Sequence, residues 1–275
     1  MIFMSGDRKN KLNRRKFLTA STGLASLLIL DISTAKRLLA EMPEEYANRV
    51  GILVNPSQCI GCMACVEACK NVHGGKTGTL YTDVKEIKRY NLNVPILCMH
   101  CEDPPCANVC LTGALTKLGN GPVALDQSKC IGCTLCTGAC PFNRIQYDQS
   151  QRVAFKCDMC QERVSKGLVP ACVEACPVSP KARLFGTYKE VLDEGVKNAE
   201  KIDGLLVFPR ETSTLYVVKK EWLEELSNPP IKLSDKYPQE ARLMANISKY
   251  SEWGLVPVAL GVIGYALMWR KEKFR

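Results

Sequence analysis

Two mostly apolar segments lie near the ends of the chain, at residues 17–32 and 253–269. The first is too short to span a bilayer comfortably. The second has 17 residues and no charge, and at about 1.5 Å per residue it reaches roughly 25 Å, near the lower limit for a spanning helix. Trp253 and Trp269 at its ends suit the two membrane interfaces. The pattern predicts a transmembrane helix over 253–269, with a buried C-terminal core helix as the alternative.

Shorter patterns lie between these segments. Residues 114–126 predict a β-hairpin, because two short strand-like runs flank a glycine-containing turn. Residues 184–187 predict a strand that leads into a helix near 189–197, with Thr187 as the N-cap. The prolines within 227–250 predict a linker to the membrane helix.

The charge of the chain is concentrated at its two ends. The 275 residues include 37 Lys and Arg against 28 Asp and Glu, a formal net charge of +9. Residues 1–40 contribute +6 and residues 270–275 contribute +3, so residues 41–269 sum to zero. A basic surface for nucleic acid is therefore not indicated.

The basic N-terminal region has the layout of an export signal, with a short apolar core and small residues behind it. Arg14 and Arg15, followed by Phe17 and Leu18, resemble the twin-arginine signal, which is read by a translocase that accepts folded proteins. We interpret 1–40 as this signal, with Ser33-Thr34-Ala35 as a cleavage site and Ala40 as a weaker one. The alternative is a basic amphipathic helix followed by a buried helix.

The basic residues behind the predicted transmembrane helix indicate its orientation. Because positive residues favour the cytoplasmic side, the tail at 270–275 is predicted to be cytoplasmic. The body of the protein would then lie on the periplasmic face of the membrane.

All 16 cysteines fall between Cys59 and Cys176, in four groups of four. Every group opens with C-x2-C and closes with C-x3-C, and two groups have the full bacterial ferredoxin spacing C-x2-C-x2-C-x3-C. In that spacing three cysteines wrap one 4Fe-4S cluster, and the fourth ligates the other cluster of a pair. The quartets are Cys59, Cys62, Cys65 and Cys69; Cys98, Cys101, Cys106 and Cys110; Cys130, Cys133, Cys136 and Cys140; and Cys157, Cys160, Cys172 and Cys176.

An internal repeat supports duplication of a cluster-binding module. Residues 57–69 and 128–140 match at 8 of 13 positions, and Gly61 and Gly132 suit a loop that turns tightly beside the sulfurs. Disulfides and zinc are the competing interpretations, but neither requires this spacing or Cys-Pro at the end of two quartets. The pattern favours iron–sulfur clusters, with a zinc-stapled binding scaffold as the remote alternative.

With these motifs, residues 50–190 resemble the four-cluster ferredoxin-like electron-transfer subunits of respiratory complexes, such as those of hydrogenase, formate dehydrogenase, dimethyl sulfoxide reductase and polysulfide reductase. The resemblance implies an α+β fold of two ferredoxin-like dicluster units, one inserted in the other. The outer unit would comprise 50–80 and 150–190, and the inner unit 95–145. Residues 191–250 would form an extension and linker.

The resemblance also implies four 4Fe-4S clusters with all sixteen cysteines as iron ligands. In that family the outer quartets exchange their fourth cysteines, and so do the inner quartets. We name each implied set by its first cysteine. The Cys59 site has Cys59, Cys62, Cys65 and Cys176; the Cys157 site has Cys157, Cys160, Cys172 and Cys69; the Cys98 site has Cys98, Cys101, Cys106 and Cys140; and the Cys130 site has Cys130, Cys133, Cys136 and Cys110.

The export signal combined with a C-terminal anchor is similar to the ferredoxin-like subunit of membrane-associated uptake hydrogenases. Residues 208–216 also look like the segment that precedes the anchor in those proteins. This implies a relay of electrons between a periplasmic catalytic partner, a NiFe hydrogenase, and a membrane quinone-reactive subunit. The alternative is the electron-transfer subunit of a formate dehydrogenase or a molybdopterin-type reductase.

The sequence assigns no substrate chemistry to this protein, because it shows no nucleophile–base set and no nucleotide-binding loop. It has two histidines, His73 and His100. His100 lies within Cys-Met-His-Cys, where it would either pack or tune the potential of a cluster.

Overall fold

The computed structural model describes residues 32–74, 81–208, 210–229, 231–233 and 238. The predicted transmembrane helix at 253–269, the tail at 270–275 and residues 1–31 of the predicted signal lie outside the described residues. Within the described ranges, no helix is both long and apolar enough to cross a membrane.

The described residues form ten strands, four of which build one mixed sheet. The strands are β1 Val50–Val54, β2 Asp83–Ile87, β3 Leu92–Ile96, β4 Leu115–Lys117, β5 Val123–Leu125, β6 Gln146–Asp148, β7 Val153–Phe155, β8 Arg183–Thr187, β9 Gly204–Val207 and β10 Thr214–Lys219. The sheet has the order β8-β1-β10-β9. Strand β1 pairs in parallel with β10 and antiparallel with β8, so that Ile52 lies opposite both Thr214 and Phe185. The sheet therefore joins early and late parts of the chain.

Nine helices, most of them short, accompany the strands in the described part of the chain. They are α1 Ile32–Glu41, α2 Glu44–Ala47, α3 Ala64–His73, α4 Pro105–Asn108, α5 Leu135–Ala139, α6 Gln161–Val164, α7 Ala171–Glu174, α8 Tyr188–Lys201 and α9 Leu223–Ser227. Helix α8 packs on the sheet and on α1. Thr187 and Glu190 begin α8 with a reciprocal capping box, which satisfies two backbone N–H groups that a helix start leaves free.

Along the chain, the cysteine loops alternate with three two-stranded hairpins, β2–β3, β4–β5 and β6–β7. One core contains residues from the sheet and from the first, second and fourth quartets, including Ile52, Tyr216, Cys65, Cys101 and Cys172. A second core contains α1, α8 and other sheet residues, and a third contains the hairpin β4–β5 with Cys106 and Cys136. The predicted mixture of helices and strands is confirmed in the described residues.

The elements predicted at 114–126 and 184–197 are present. Strands β4 and β5 form the hairpin, and β8 leads through the N-cap Thr187 into α8. Residues beyond 190 are more than an extension, since β9 and β10 supply half of the sheet.

The segments predicted as a linker and as a cleavage site both contain residues that are buried in the fold. The predicted linker begins inside the fold, because Ile231 and Leu233 are buried in the first core. At the other end, Ala35 of the predicted cleavage site is buried in helix α1 against α8.

Candidate iron–sulfur sites

Each of the four cysteine loops bends at the residue before its second cysteine. That residue has a left-handed backbone in every loop: Gly61 (φ 73°), His100 (φ 49°), Gly132 (φ 69°) and Met159 (φ 61°). Glycine adopts this conformation freely, whereas a residue with a side chain is strained by about 1–2 kcal/mol. The two glycines indicated this turn from the sequence, but nothing in the sequence indicated that His100 and Met159 share it.

The bend brings a backbone amide to the sulfur of the first cysteine. His100 N–H donates to Cys98 Sγ at 3.5 Å, and Met159 N–H donates to Cys157 Sγ at 3.4 Å. Burial raises the pKa of the Cys59 thiol, and a hydrogen bond from the Gly61 backbone partly offsets this. Such donors favour the thiolate form, which is the form that ligates iron.

Helix α3 carries two cysteines that belong to different sites. Cys65 and Cys69 are four residues apart, so they share one face of the helix, and both are buried. The helix starts after Met63, whose φ is 61°, and the equivalent Thr134 before α5 has a φ of 60°. The repeat seen in the sequence is thus also a repeat of backbone conformation.

The cysteines of the Cys59 site line a common pocket. Cys59, Cys62, Cys65 and Cys176 face it, together with Arg183. The fold thus brings the first three cysteines of the chain together with the last one.

At the Cys157 site, Cys69 of α3 lies beside cysteines of the fourth quartet. Burial raises the pKa of Cys69 to about 12, and the Cys172 and Cys160 thiolates contribute to this shift. Burial also raises the pKa of Cys160 to about 11, with a further contribution from Cys172. The contact follows from the packing of α3 against α7, which carries Cys172.

In the inner quartets, too, the fourth cysteine of each quartet lies near the other quartet. Burial raises the pKa of Cys106 far above its usual range, and Cys98, Cys140 and Cys101 are the thiolates that add to this. Burial raises the pKa of Cys136 to about 11, with contributions from Cys130, Cys133 and Cys110. Cys140 therefore lies among the second quartet, and Cys110 lies among the third.

Neighbouring sites also interact with one another. Burial raises the pKa of Cys65 in the Cys59 site, and Cys172 of the Cys157 site is the first thiolate that adds to this shift. Burial raises the pKa of Cys157, and the first thiolate that adds to it is Cys98 of the next site. The Cys157 site therefore lies between the Cys59 and Cys98 sites.

The four sites form a succession with exposed ends. The Cys130 site follows the Cys98 site, because Cys106 and Cys136 share the third core. An exposed cysteine occurs in each end site, Cys62 in the first and Cys133 in the last. The order of neighbours is thus the Cys59, Cys157, Cys98 and Cys130 sites.

The geometry of the sulfurs distinguishes a cluster from a single zinc ion. All sixteen cysteines are free thiols. Four thiolates around one zinc ion lie roughly 3.8 Å apart, given Zn–S bonds of about 2.3 Å. Among the described residues, three potential ligand atoms within 4.8 Å of one another occur only in His73, Asp158 and Cys160. Within the described residues, no three cysteine sulfurs are therefore as close together as a zinc site requires.

His100 is completely buried beside the Cys98 site. Its Nδ1 accepts a hydrogen bond from Val123 N–H at 3.0 Å, while its Nε2 has no hydrogen-bond partner within the described part of the chain. Burial lowers the pKa of His100 well below its usual value, and Lys156 and Lys117 lower it further. Because Nδ1 accepts a hydrogen bond, the neutral imidazole carries its proton on Nε2.

Two buried cations among the cysteines were missed by the sequence analysis. Arg183 and Lys156 are 1% and 2% exposed. Arg183 begins β8 and Lys156 follows β7, immediately before Cys157. In the sequence, each is a charged residue next to a short apolar run. That pattern does not distinguish a buried side chain from an exposed one.

Comparisons with known proteins agree with this site. The 4Fe-4S dicluster domain family matches residues 90–187, and the 4Fe-4S binding domain family matches residues 52–71. Together these two matches include all sixteen cysteines.

Several curated proteins are similar to the chain. A subunit of the sulfite dehydrogenase of Allochromatium vinosum is 36% identical over 166 residues, which cover 50% of this chain and 68% of that protein. A component of the anaerobic dimethyl sulfoxide reductase of Escherichia coli is 37% identical over 158 residues, covering 51% and 75% respectively. The iron-sulfur subunit of the nitrate-inducible formate dehydrogenase of Escherichia coli is 33% identical over 181 residues, covering 58% and 61%.

Fold, cysteine geometry and these similarities define a ferredoxin-like protein that binds 4Fe-4S clusters. It belongs to the family of iron–sulfur electron-transfer subunits of oxidoreductase complexes. Its relatives are not the catalytic subunits of those complexes, as the sequence analysis predicted.

Proposed function

We propose that the chain relays electrons through four 4Fe-4S clusters, held by the Cys59, Cys157, Cys98 and Cys130 sites. The succession of four cysteine sets, with exposed cysteines only in the two end sets, is the observation that carries this proposal. Each bound cluster would supply one-electron transfer. The chain supplies thiolate ligands and amide donors, and it buries every cysteine of the two middle sets except Cys140, which is partly exposed.

Analysis of the purified full-length protein tests this function. We expect brown protein with about 16 iron and 16 sulfide per chain, the content of four 4Fe-4S clusters. Colourless protein that contains zinc would refute the relay and support the binding scaffold.

The exchange of fourth cysteines is tested by two variants on helix α3. We expect Cys69→Ser to disturb the Cys157 cluster and Cys65→Ser to disturb the Cys59 cluster, although the two residues are four apart. A redox titration followed by electron paramagnetic resonance should therefore show a different signal altered in each variant. The same signal altered in both variants would contradict the proposed pairing.

The catalytic partner that we propose is a molybdopterin-type oxidoreductase, such as a formate dehydrogenase or a reductase. The names of the similar proteins favour this over the hydrogenase interpretation, since they are subunits of sulfite dehydrogenase, dimethyl sulfoxide reductase, tetrathionate reductase and formate dehydrogenase. Metal analysis of the native complex, isolated through a tag on this chain, separates the two. Molybdenum or tungsten supports the proposal, whereas nickel supports a NiFe hydrogenase.

We also propose that the body lies on the periplasmic face of the membrane, with a quinone-reactive membrane subunit as the second partner. The support is the sequence pattern of the two basic ends and the apolar segment at 253–269. Replacing Arg14 and Arg15 by lysine should retain the protein in the cytoplasm in a fractionation experiment. Unchanged export of this variant would argue against the twin-arginine route.

A further inference from the structure

Arg183 is a buried cation that faces two cysteine sets at once. It lines the pocket of the Cys59 site, and Cys172 of the Cys157 site and Cys65 of the Cys59 site are the cysteines that most favour its charge. Its Nη2 donates to Thr82 Oγ1 at 2.8 Å, while Nε and Nη1 have no hydrogen-bond partner among the described residues. The guanidinium stays charged at any physiological pH.

Lys156 occupies the equivalent position between the next two sets. Its Nζ donates to the backbone oxygens of Val123 and Cys157. The charged groups that act on it are Cys98 and Cys106 of the Cys98 site, Cys157 of the Cys157 site, and Asp158.

Neither cation forms an ion pair with a carboxylate within the described part of the chain. The ion pairs found there involve other cations, such as Arg49, Lys117 and Arg163. Burying a charge without a counter-charge is unfavourable, so an anion must compensate each of them. An oxidised 4Fe-4S cluster with four thiolates carries a charge of about −2, and such clusters would lie on either side of both residues.

We propose that Arg183 and Lys156 are fixed counter-charges that raise the reduction potentials of the clusters on either side of them. This rests on the proposed function. Arg183 acts on the Cys59 and Cys157 clusters, and Lys156 acts on the Cys157 and Cys98 clusters. Reduction adds one negative charge to a cluster, and a cation held nearby in a medium of low dielectric constant favours that charge. Both are positioning residues, since they ligate no iron.

A redox titration of the full-length, cluster-loaded protein tests the proposal. In Arg183→Met, two of the four midpoint potentials should fall by at least about 59 mV each. For a one-electron reduction this corresponds to a tenfold decrease in the equilibrium constant. In Lys156→Met, two midpoints should also fall, one of them shared with Arg183→Met. The fourth cluster, at the Cys130 site, should be unchanged in both variants.

Lys129→Met is the matched control. Lys129 precedes Cys130 and has the same charge, but its side chain is 61% exposed and pairs with Asp126 at 3.2 Å. Solvent screens such a charge, so we expect no midpoint to change by as much as tenfold. Midpoints that stay constant in both buried-cation variants, or that all shift equally, would overturn the proposal.

Variants that lose their clusters also test the proposal. If Arg183→Met and Arg183→Gln both lose iron while Arg183→Lys keeps it, the positive charge is what the clusters require, and the proposal is supported. Loss of iron in all three variants would show that the shape of arginine matters and would overturn it. Wild-type protein without iron would instead refute the proposed function itself.

Discussion

At the residue scale, the bend before each second cysteine leaves little freedom for substitution. Gly132 has a φ of 69°, and a Cβ added there would lie 2.3 Å from the backbone oxygen of Arg152. We expect Gly132→Ala to destabilise the protein by more than the roughly 1–2 kcal/mol of backbone strain alone, because the backbone of Arg152 must also move. Calorimetry and iron content measure the change, and the iron lost should come from the Cys130 site.

Gly138 provides the control for this variant. It lies in helix α5 of the same quartet, and a Cβ added there has no atom within 4 Å. Alanine is a better helix former than glycine by about 0.5–1 kcal/mol, so Gly138→Ala should leave the protein equally stable or more stable, with its iron retained. An equal loss of stability and iron in both variants would mean that any added methyl group disturbs this loop.

At the element scale, an ion-pair network ties the second cysteine quartet to the start of the fold. The half-buried Glu102 accepts a hydrogen bond from Arg49, which precedes β1, and lies 3.2 Å from Lys117 of β4. Burial raises the pKa of Glu102, but Lys117 and Arg49 outweigh it, so the net shift is downward. A carboxylate with a lowered folded-state pKa stabilises the fold above its unfolded pKa, and this contribution is lost as the pH falls.

We therefore expect Glu102→Gln to lower the free energy of unfolding at pH 7 by about 1–3 kcal/mol, since it removes the carboxylate that two partly buried cations share. Thermal unfolding of the cluster-loaded protein measures this. Glu45→Gln is the control, because Glu45 is 90% exposed and lies 4.0 Å from the same Arg49. Equal shifts in melting temperature for the two variants would contradict the network's role.

At the scale of the whole molecule, the cores differ in their dependence on iron. Two of them contain cysteines, whereas the core between α1, α8 and the sheet contains none within the described residues. Binding of a structural metal contributes directly to folding free energy. The part of the molecule around the cysteine loops should therefore depend on its clusters more than α8 does.

Removal of iron by a chelator under reducing conditions tests this difference. We expect backbone amides of the hairpins β4–β5 and β6–β7 to lose their protection from hydrogen exchange, while those of α8 keep most of theirs. Mass spectrometry of exchanged peptides measures both regions in one sample. A uniform loss of protection would show that the molecule unfolds as a single cooperative unit.

Local patterns predicted the local parts of this structure. The cysteine spacing identified the family, the glycine-containing turn identified the hairpin β4–β5, and Thr187 identified the start of α8. The sheet was not predicted, because the pairing of β1 with β8 and β10 joins residues far apart in the sequence and leaves no periodic signal.

At the candidate site, the sequence identified the cysteines as candidate ligands, but it did not predict which residues surround them. The positive φ of His100 and Met159 is imposed by the loop, against the preference of those residues. The burial of Arg183 and Lys156 likewise depends on tertiary packing. Residue type alone would have placed both side chains at the surface.

The position of β1 inside the sheet has a consequence for synthesis of the protein. Ile52 pairs with Thr214, so about 160 residues must be made before this strand obtains its parallel neighbour. At roughly 5–20 residues per second, a ribosome needs about 8–32 seconds for that length. During this interval the edge of β1 that will pair with β10 presents unpaired backbone N–H and C=O groups, to which another chain could pair.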